Sequence, residues 1–337
     1  AHAARGIGSL LVAASRKTPR KPAAKRSAPR GNPAKARVSS APPKPAPVTA
    51  RDWIGAARLR TLPLAISPIL VGTGAAIAVG GGFHWVLALC CLAVAVSLQI
   101  AVNFANDYSD GIRGTDDHRV GPARLTASGR VTPRAVLIAA LLFFAIAALV
   151  GIAVVIRTQH WWLLAVGAVC IVAAWFYTGG KRPYGYSGLG EVFVFVFFGP
   201  VATIGTTFVQ AGSVPQESWI PSIGVGALAC GVLVTNNLRD IAQDRVAGKR
   251  TLTVLIGKRA SQVLYTVLML VPFATVPIVA PFYPVAWLSL LVLLATLSAT
   301  LIVWTYRTAR ELIVALQLSS LASLAWSGFI LWAYVAA

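Results

Sequence analysis

Long apolar runs, separated by short polar segments, dominate the chain after about residue 60. About 20 apolar residues are enough to cross the hydrocarbon core of a bilayer as an α-helix. Nine runs reach roughly that length, so the pattern predicts an all-α, polytopic membrane protein with nine transmembrane helices. The predicted spans are about 61–80, 83–105, 134–156, 160–178, 188–211, 217–236, 260–281, 284–305 and 312–335.

Residues 1–50 follow a different pattern. They hold eleven of the 30 Lys and Arg residues, no acidic residue, and many Ala, Pro and Ser residues. This composition predicts a disordered basic N-terminal arm, followed by a membrane domain over residues 51–337. The arm fits contact with anionic lipid head groups and, by composition, a transit peptide. It holds no aromatic residue, so a nucleic-acid partner is not expected.

The overall composition agrees with a lipid environment. The chain is 57% hydrophobic and 12% charged, whereas soluble domains average about 25% charged residues. After residue 50, placing the N-terminus inside puts 18 Lys and Arg residues in inner loops and Arg157 alone in an outer loop. The positive-inside rule therefore predicts that the N-terminus lies on the cytoplasmic side.

Six of the seven aspartates fall in two polar stretches, and both stretches lie on that same side. The first, NFANDYSDGIRGTDDHRVGPARL, spans residues 103–125, and the second, TNNLRDIAQDRVAGKRTL, spans residues 235–252. In the second, Asn236, Asp240 and Asp244 are four apart and so share one helix face. In the first, Asn103 and Asp107 are four apart, with Asp110 three further on.

Two facing carboxylate clusters at a membrane interface repel each other unless a cation lies between them. Clustered oxygens suit Mg²⁺, which binds through a few carboxylates together with substrate phosphates. Nearby basic side chains match phosphate oxygens. The two carboxylate clusters are therefore predicted to hold Mg²⁺ together with a phosphate-containing substrate. The predicted phosphate-binding cations are Arg119, Arg124, Lys181, Arg182 and Lys249.

These stretches resemble the two Asp-rich motifs of the UbiA superfamily of intramembrane prenyltransferases. The resemblance covers about residues 53–335. It is carried by ARLRTLP at 57–63, NDYSDGIRGTD at 106–116, YTGGKRPYGYSGLGE at 177–191 and NNLRDIAQDRVAGKRTL at 236–252. Within the superfamily, the chain is most similar to the branch that prenylates 1,4-dihydroxy-2-naphthoate in menaquinone biosynthesis. Two positions depart from the family pattern: the last acid of the first motif comes six residues after Asp110, and Leu59 replaces a proline.

The resemblance implies a polyprenyl diphosphate donor, an aromatic acceptor and Mg²⁺. The implied metal ligands are Asp107, Asp110, Asp116, Asp240 and Asp244, with Asp117 open as an alternative to Asp116. It implies catalytic roles for Asp107, Asp110, Asp240, Asp244, Lys181 and Arg182. The implied substrate-binding residues are Asn103, Asn106, Arg58, Arg60, Arg119, Arg124, Tyr177, Tyr184, Asn236 and Lys249. Either Arg58 or Arg60 is expected to pair with the acceptor carboxylate.

Three other functions compete with this interpretation. A related enzyme of the superfamily would prenylate 4-hydroxybenzoate or another aromatic acceptor. A transporter would place ionisable residues at several depths, whereas here they cluster at one interface. A purely structural membrane protein would not need two Asn/Asp series at helical spacing. No stable protein partner is predicted.

Overall fold

The computed structural model describes residues 47–115 and 124–337, and within these ranges it contains helices and connecting loops but no strand. The predicted all-α class is confirmed. The predicted basic arm falls almost entirely outside the described residues, as do Asp116 and Arg119. The helices are α1 (Ala50–Ala56), α2 (Pro63–Ala78), α3 (Trp85–Ile112), α4 (Pro133–Thr158), α5 (Leu163–Phe176), α6 (Gly190–Val196), α7 (Ala202–Ala211), α8 (Gln216–Val246), α9 (Leu252–Val279), α10 (Leu293–Thr305) and α11 (Glu311–Val335).

Seven helices in the described part of the chain are long and apolar enough to cross a membrane. The bent pair α1–α2, with an angle of 48° at its break, makes an eighth if it counts as one span. The span predicted at about 160–178 corresponds to α5, which has 14 residues and is shorter than a full crossing. The predicted count of nine is therefore not confirmed, although every predicted span coincides with a helix.

Local sequence explains where several helices begin, end and bend. At the start of α4 the Thr132 side chain accepts a hydrogen bond from the backbone N–H of Ala135, and Pro133 follows at the first helical position. Gly212 ends α7 with a positive φ of 70°. A π-helical segment, Phe197–Val201, joins α6 to α7, and Pro200 within it has no N–H to donate. A 3₁₀ segment, Pro284–Val292, leads into α10.

The helices pack in two groups. The larger core lies between α8, α9, α10 and α11 and includes the fully buried Tyr265 and Trp326. The smaller core lies between α1, α3 and α4 around Phe104 and Phe144. Helix α2 packs against α11, α7, α8 and α3, and so connects the groups. Many large apolar side chains on the outside are exposed, including Leu149 and Leu294, as expected where lipid is the solvent.

Close helix packing depends on glycine at defined points. A Cβ at Gly199 would lie 2.7 Å from the carbonyl oxygen of Ser222, and one at Gly226 would lie 2.9 Å from that of Phe195. Such distances are incompatible with any side chain, so these two glycines let the α6–α7 segment lie directly against α8. This contact helps to fix the position of α8, which carries the second Asp motif.

Candidate functional site

Helices α3 and α8, which carry the two Asn/Asp motifs, extend past their apolar runs. Helix α3 continues to Ile112 and α8 to Val246, seven and ten residues beyond the predicted ends of these spans. The end of the bundle formed by these two helix ends is called the motif end below. The polar side chains that α3 directs into the cavity here are Asn103, Asn106 and Asp110, and those from α8 are Asn236, Asn237, Asp240, Gln243 and Asp244.

A cavity of about 590 Å³ starts at these side chains and extends between α2, α3, α4, α5, α6, α7 and α8. Its polar wall lies at the motif end. The remainder is lined almost entirely by Val, Leu, Ile, Ala and Phe side chains. A cavity with one charged end and a long apolar remainder suits an amphiphile with an anionic head and a hydrocarbon tail.

Asp110 has contacts with two basic side chains and one hydroxyl group at the polar wall. Its Oδ1 lies 3.2 Å from Nζ of Lys249, and its Oδ2 lies 3.5 Å from Nη2 of Arg124. The Tyr186 hydroxyl donates a hydrogen bond to Oδ1. Burial, and then the charge of Asp110, raise the pKa of Tyr186, so the phenol keeps its proton and remains a donor.

Lys249 connects the two motifs. Its Nζ lies 4.0 Å from Oδ1 of Asp244 as well as beside Asp110, and 4.7 Å from the ring centre of Tyr186. The chain can place it there because Gly248, at a φ of 73°, reverses direction after α8. The Lys249 N–H then donates to the Asp244 carbonyl at 2.8 Å. A single ammonium group therefore lies between carboxylates from α3 and α8.

The second motif has an internal partner that spacing alone did not reveal. Arg239 donates to both carboxylate oxygens of Asp240, at 2.7 and 2.6 Å, and its Nη2 also donates to Oδ1 of Asn236 at 2.9 Å. Arg239 is buried, and so is Asp240. A buried carboxylate needs this neutralisation when no metal is bound. Its adjacency to Asp240 was the sequence signal available.

Asp107 is absent from the cavity lining, and its predicted role as a metal ligand stays a prediction. It is fully buried, and its two carboxylate oxygens accept the backbone N–H groups of Leu125 and Thr126, both at 2.9 Å. The geometry assigns it to holding the segment that carries Arg124. It thereby positions Arg124, which lines the cavity, without lining the cavity itself.

Replacing Asp107 by Ala is expected to lower the free energy of unfolding by about 2–5 kcal/mol, because two buried backbone N–H groups lose their acceptor. The expected readout is a lower melting temperature of the purified protein in detergent. Asp107→Asn, which keeps one acceptor oxygen, is expected to lose less. An unchanged melting temperature together with an altered Mg²⁺ requirement would instead support the role as metal ligand.

The two asparagines of α3 have defined partners. Asn103 donates to the carbonyl oxygen of Ala57 at 2.9 Å, which ties α3 to the segment before α2. Asn106 accepts a hydrogen bond from the Thr178 hydroxyl at 2.6 Å, which ties α3 to the loop after α5. Both line the cavity while these contacts hold their orientation.

The predicted cations divide into two groups. Arg58, Arg124 and Lys249 line the cavity. Arg60 is exposed, and it takes part at this end through its carbonyl oxygen, which accepts from Ser320. Lys181 and Arg182 are exposed and do not line the cavity. The structure therefore does not bring the predicted catalytic pair Lys181 and Arg182 to the carboxylates.

The loop after α5 explains this arrangement. Arg113, which the sequence interpretation did not single out, donates to the Thr178 carbonyl at 2.5 Å and to the Gly180 carbonyl. Gly180 adopts a φ of 74°, and the Tyr186 carbonyl accepts from the N–H of Arg250 at 2.9 Å. These contacts direct the tyrosines of the loop inward and leave its basic residues outside. No spacing rule signalled Arg113.

An aromatic wall separates the polar end from the apolar remainder. The Tyr177 and Tyr184 rings meet edge to face at 5.5 Å, and the Tyr184 ring stacks on Phe193 at 4.0 Å. The Tyr184 hydroxyl donates to the Ala173 carbonyl at 2.8 Å. Phe197 continues the stack 6.1 Å beyond Phe193. Ring faces of this kind stabilise nearby positive charge.

The polar wall fits Mg²⁺ in one particular manner. Within the described ranges, no three Asp, Glu, His or Cys side chains form a preformed metal cage. Asp110, Asp240 and Asp244 line one cavity but contact Lys and Arg side chains. Mg²⁺ commonly uses one or two carboxylates together with substrate phosphates and water. The oxygen-only donor set suits a metal that arrives with an anionic substrate.

Glu191 is a further buried carboxylate close to this site. Its Oε1 accepts from Nδ2 of Asn237 at 3.0 Å, and its carbonyl accepts from the Cys230 thiol at 3.0 Å. Both partners belong to α8. Glu191 thus fixes the start of α6 against the helix that bears the second motif.

Comparison with known proteins supports the family resemblance. The model of the UbiA prenyltransferase family matches residues 65–320. A 1,4-dihydroxy-2-naphthoate octaprenyltransferase of Mycobacterium tuberculosis is 48% identical over 82% of this chain and 94% of its own length.

Solved structures share the fold at low sequence identity. The apo structure of a UbiA homolog from Aeropyrum pernix K1 aligns with a TM-score of 0.63 and 16% identity, over 79% of this chain and 96% of that one. A UbiA homolog from Archaeoglobus fulgidus bound to DMAPP and Mg²⁺ aligns with a TM-score of 0.53 and 15% identity, over 81% and 98%. The family match and the mycobacterial relative carry the assignment: this chain belongs to the UbiA prenyltransferase family.

Proposed function

We propose that this protein transfers a polyprenyl group from polyprenyl diphosphate to 1,4-dihydroxy-2-naphthoate, with loss of diphosphate and CO₂, to give the prenylated naphthoquinol precursor of menaquinone. The observation that carries the proposal is the cavity in which Asp110, Asp240 and Asp244 form one end and apolar side chains line the rest. The mycobacterial relative, whose name states this acceptor and an octaprenyl donor, supports the choice of substrates.

The diphosphate head belongs at the motif end. Lys249 and Arg124 both line the cavity there beside Asp110 and supply positive charge for phosphate oxygens. Mg²⁺ held by Asp110, Asp240 and Asp244 would neutralise the leaving group when bound. Asn106 and Asn236 are placed to orient the donor or complete the ligand set.

The carbon–carbon bond forms next to the aromatic wall. The allylic C–O bond breaks with both electrons leaving on diphosphate, and the acceptor ring carbon attacks the resulting allylic cation. The bond from that carbon to its carboxylate then breaks, CO₂ leaves, and the electron pair returns to the ring. The faces of Tyr177, Tyr184 and Phe193 stabilise the cation, and the apolar lining excludes water that would quench it.

Arg58 is the proposed partner of the acceptor carboxylate. It lines the cavity, whereas Arg60 is exposed. Arg58 also has a φ of 55°, which is unusual for a residue other than glycine. Strained backbone of this kind is found preferentially at functional sites.

Replacing Arg58 by Ala is expected to raise the KM for the acceptor by about 10–100-fold, since a charge-assisted bidentate contact contributes roughly 1.5–3 kcal/mol. The KM for the prenyl donor is expected to change little. Arg60→Ala is the matched control and should leave both values within about twofold. An unchanged acceptor KM in Arg58→Ala would contradict this assignment.

The orientation follows from charge. We propose that the motif end faces the cytoplasm of a bacterial cell membrane, because the spans predicted from the sequence assign 18 of the 19 Lys and Arg residues after residue 50 to that side. A water-soluble acceptor and the diphosphate head would then reach the site from the cytoplasm, while the prenyl tail remains in the bilayer.

The decisive assay offers the purified protein polyprenyl diphosphate, Mg²⁺ and either 1,4-dihydroxy-2-naphthoate or 4-hydroxybenzoate, with products identified by mass. We expect a prenylated naphthoquinol and released CO₂ with the first acceptor, and no product when EDTA is present. Product from 4-hydroxybenzoate alone would reassign the acceptor. Absence of product with both acceptors, from folded protein, would reject prenyl transfer to these rings.

A further inference from the structure

Glycines in the transmembrane helices differ in what surrounds them. Gly199, Gly226 and Gly231 face atoms of neighbouring helices less than 3.0 Å from where a Cβ would stand. Gly151, Gly167 and Gly205 have no such atom within 4 Å, yet all three line the cavity. The second group is therefore not explained by helix packing.

A glycine inside a helix destabilises it relative to alanine. When close packing does not require the glycine, the space that it leaves open is its remaining structural effect. Gly151, Gly167 and Gly205 belong to three different helices, α4, α5 and α7, and border the same apolar cavity. Together they widen that cavity where larger side chains would narrow it.

All three glycines lie far from the carboxylates. Gly167 is 11 residues from Thr178, whose hydroxyl binds Asn106, and this corresponds to about 16 Å at a rise of 1.5 Å per residue. Gly205 lies three residues before Phe208, whose ring centre is 4.7 Å from that of His160, between α4 and α5. Gly151 lies about 27 Å along α4 from Pro133. The three positions thus border the part of the cavity that a long prenyl tail would reach and a short one would not.

We infer that Gly151, Gly167 and Gly205 set the width of the apolar part of the cavity. They thereby determine the length of the prenyl chain that the enzyme accepts. The inference rests on the proposed function, because it assigns the apolar part of the cavity to the donor tail. It adds specificity-determining residues that lie far from the reacting atoms.

Leucine at each position tests the inference. Turnover is measured with geranyl, geranylgeranyl and octaprenyl diphosphates under otherwise identical conditions. Each leucine variant is expected to lower kcat/KM for the octaprenyl donor by at least about tenfold, since a hydrophobic pocket discriminates by this much per misfitted group. The geranylgeranyl donor is expected to lose less than the octaprenyl donor, and the geranyl donor least. Geranyl turnover should persist in all variants.

Gly328→Leu is the matched control. Gly328 also lies within a transmembrane helix with open space at its Cβ position, but it does not line the cavity. Its three donor values are expected to match the wild type. Alanine variants at the three cavity positions, which favour the helix, retain the test if a leucine variant does not fold. Their losses are expected to be smaller and again largest for the octaprenyl donor.

The possible outcomes distinguish a failure of the chain-length inference from a failure of the proposed function. Equal losses for all three donors would indicate general damage and overturn the inference. Unchanged values in all three leucine variants would overturn it too, and would place the tail in the lipid beside the exposed helix α5. In both cases, wild-type turnover of geranyl diphosphate would leave the proposed function standing. Only a wild-type protein inactive with every donor would reject that function itself.

Discussion

Replacing Asp110 by Asn is expected to reduce kcat by about a thousandfold while the protein remains folded, since metal-assisted stabilisation of a leaving group contributes several kcal/mol. Asp110 is the point where Lys249, Arg124 and Tyr186 meet at the cavity wall. The amide keeps the shape of the side chain but loses the charge that a divalent cation requires. Steady-state turnover under saturating Mg²⁺ is the measurement.

Asp240→Asn is expected to behave in the same way, because Asp240 belongs to the other motif and lines the same cavity. Asp52→Asn is the matched control. Asp52 pairs with Arg130 at 2.9 Å near the start of α1, away from the cavity wall. A loss in Asp52→Asn as large as that in Asp110→Asn would show that the effect is not specific to the motifs.

Replacing Lys249 by Ala is expected to lower kcat by roughly 100–1,000-fold, as the removal of one preorganised charge at an anionic transition state does in other enzymes. Lys249 is the cation that lies between Asp110 and Asp244. Without it, developing charge on the diphosphate loses a partner, and the two carboxylates lose a shared counter-ion. Single-turnover measurements would assign the loss to the chemical step.

Two further lysines make this prediction specific. Lys258, whose Nζ lies 3.9 Å from the ring centre of Tyr306, is a control that does not line the cavity. Lys181 was predicted from sequence to act on the diphosphate, but it is exposed. We expect less than about threefold loss in Lys258→Ala and Lys181→Ala, the range for surface substitutions. A loss in Lys181→Ala that equals that of Lys249→Ala would favour the sequence interpretation.

The length of the apolar runs predicted the helices well, because every span must be apolar over the thickness of the hydrocarbon core. The segment predicted at 284–305 matches Pro284–Thr305. The same criterion could not show that α8 continues to Val246. Six of its last ten residues are polar, so hydropathy alone ends the span early. The helix itself ends just before Gly248, which turns the chain at a φ of 73°.

Helical periodicity brought the two motifs to one site but could not resolve which residues of α3 face the cavity. At 100° per residue, Asn106 lies about 40° from Asp110 and Asp107 about 60° from it on the other side. Both series look like one face in the sequence. The segment after residue 123 decides which side chain faces the cavity, because the backbone N–H groups of Leu125 and Thr126 donate to the carboxylate of Asp107.

The loop residues were harder to predict for a related reason. Lys181 and Arg182 follow two glycines and precede a proline, a pattern that also suits a phosphate-binding loop. Their outward position accompanies hydrogen bonds that Arg113, the residue after α3, makes to Thr178 and Gly180 of this loop. Contacts between segments 65 or more residues apart leave no local signal, and the same holds for Lys249 beside Asp110.

In the proposed mechanism, both Asn/Asp motifs act on one diphosphate through Mg²⁺. The most direct measurement is the affinity of the wild type, Asp110→Asn and Asp240→Asn for geranyl thiodiphosphate, a donor analogue that ionises poorly, titrated with and without Mg²⁺. We predict that Mg²⁺ tightens binding to the wild type at least about tenfold, and that either substitution removes most of this gain. Equal affinity of the wild type in EDTA and in Mg²⁺ would contradict this mechanism. So would a tightening of binding by Mg²⁺ that is undiminished in Asp110→Asn or in Asp240→Asn.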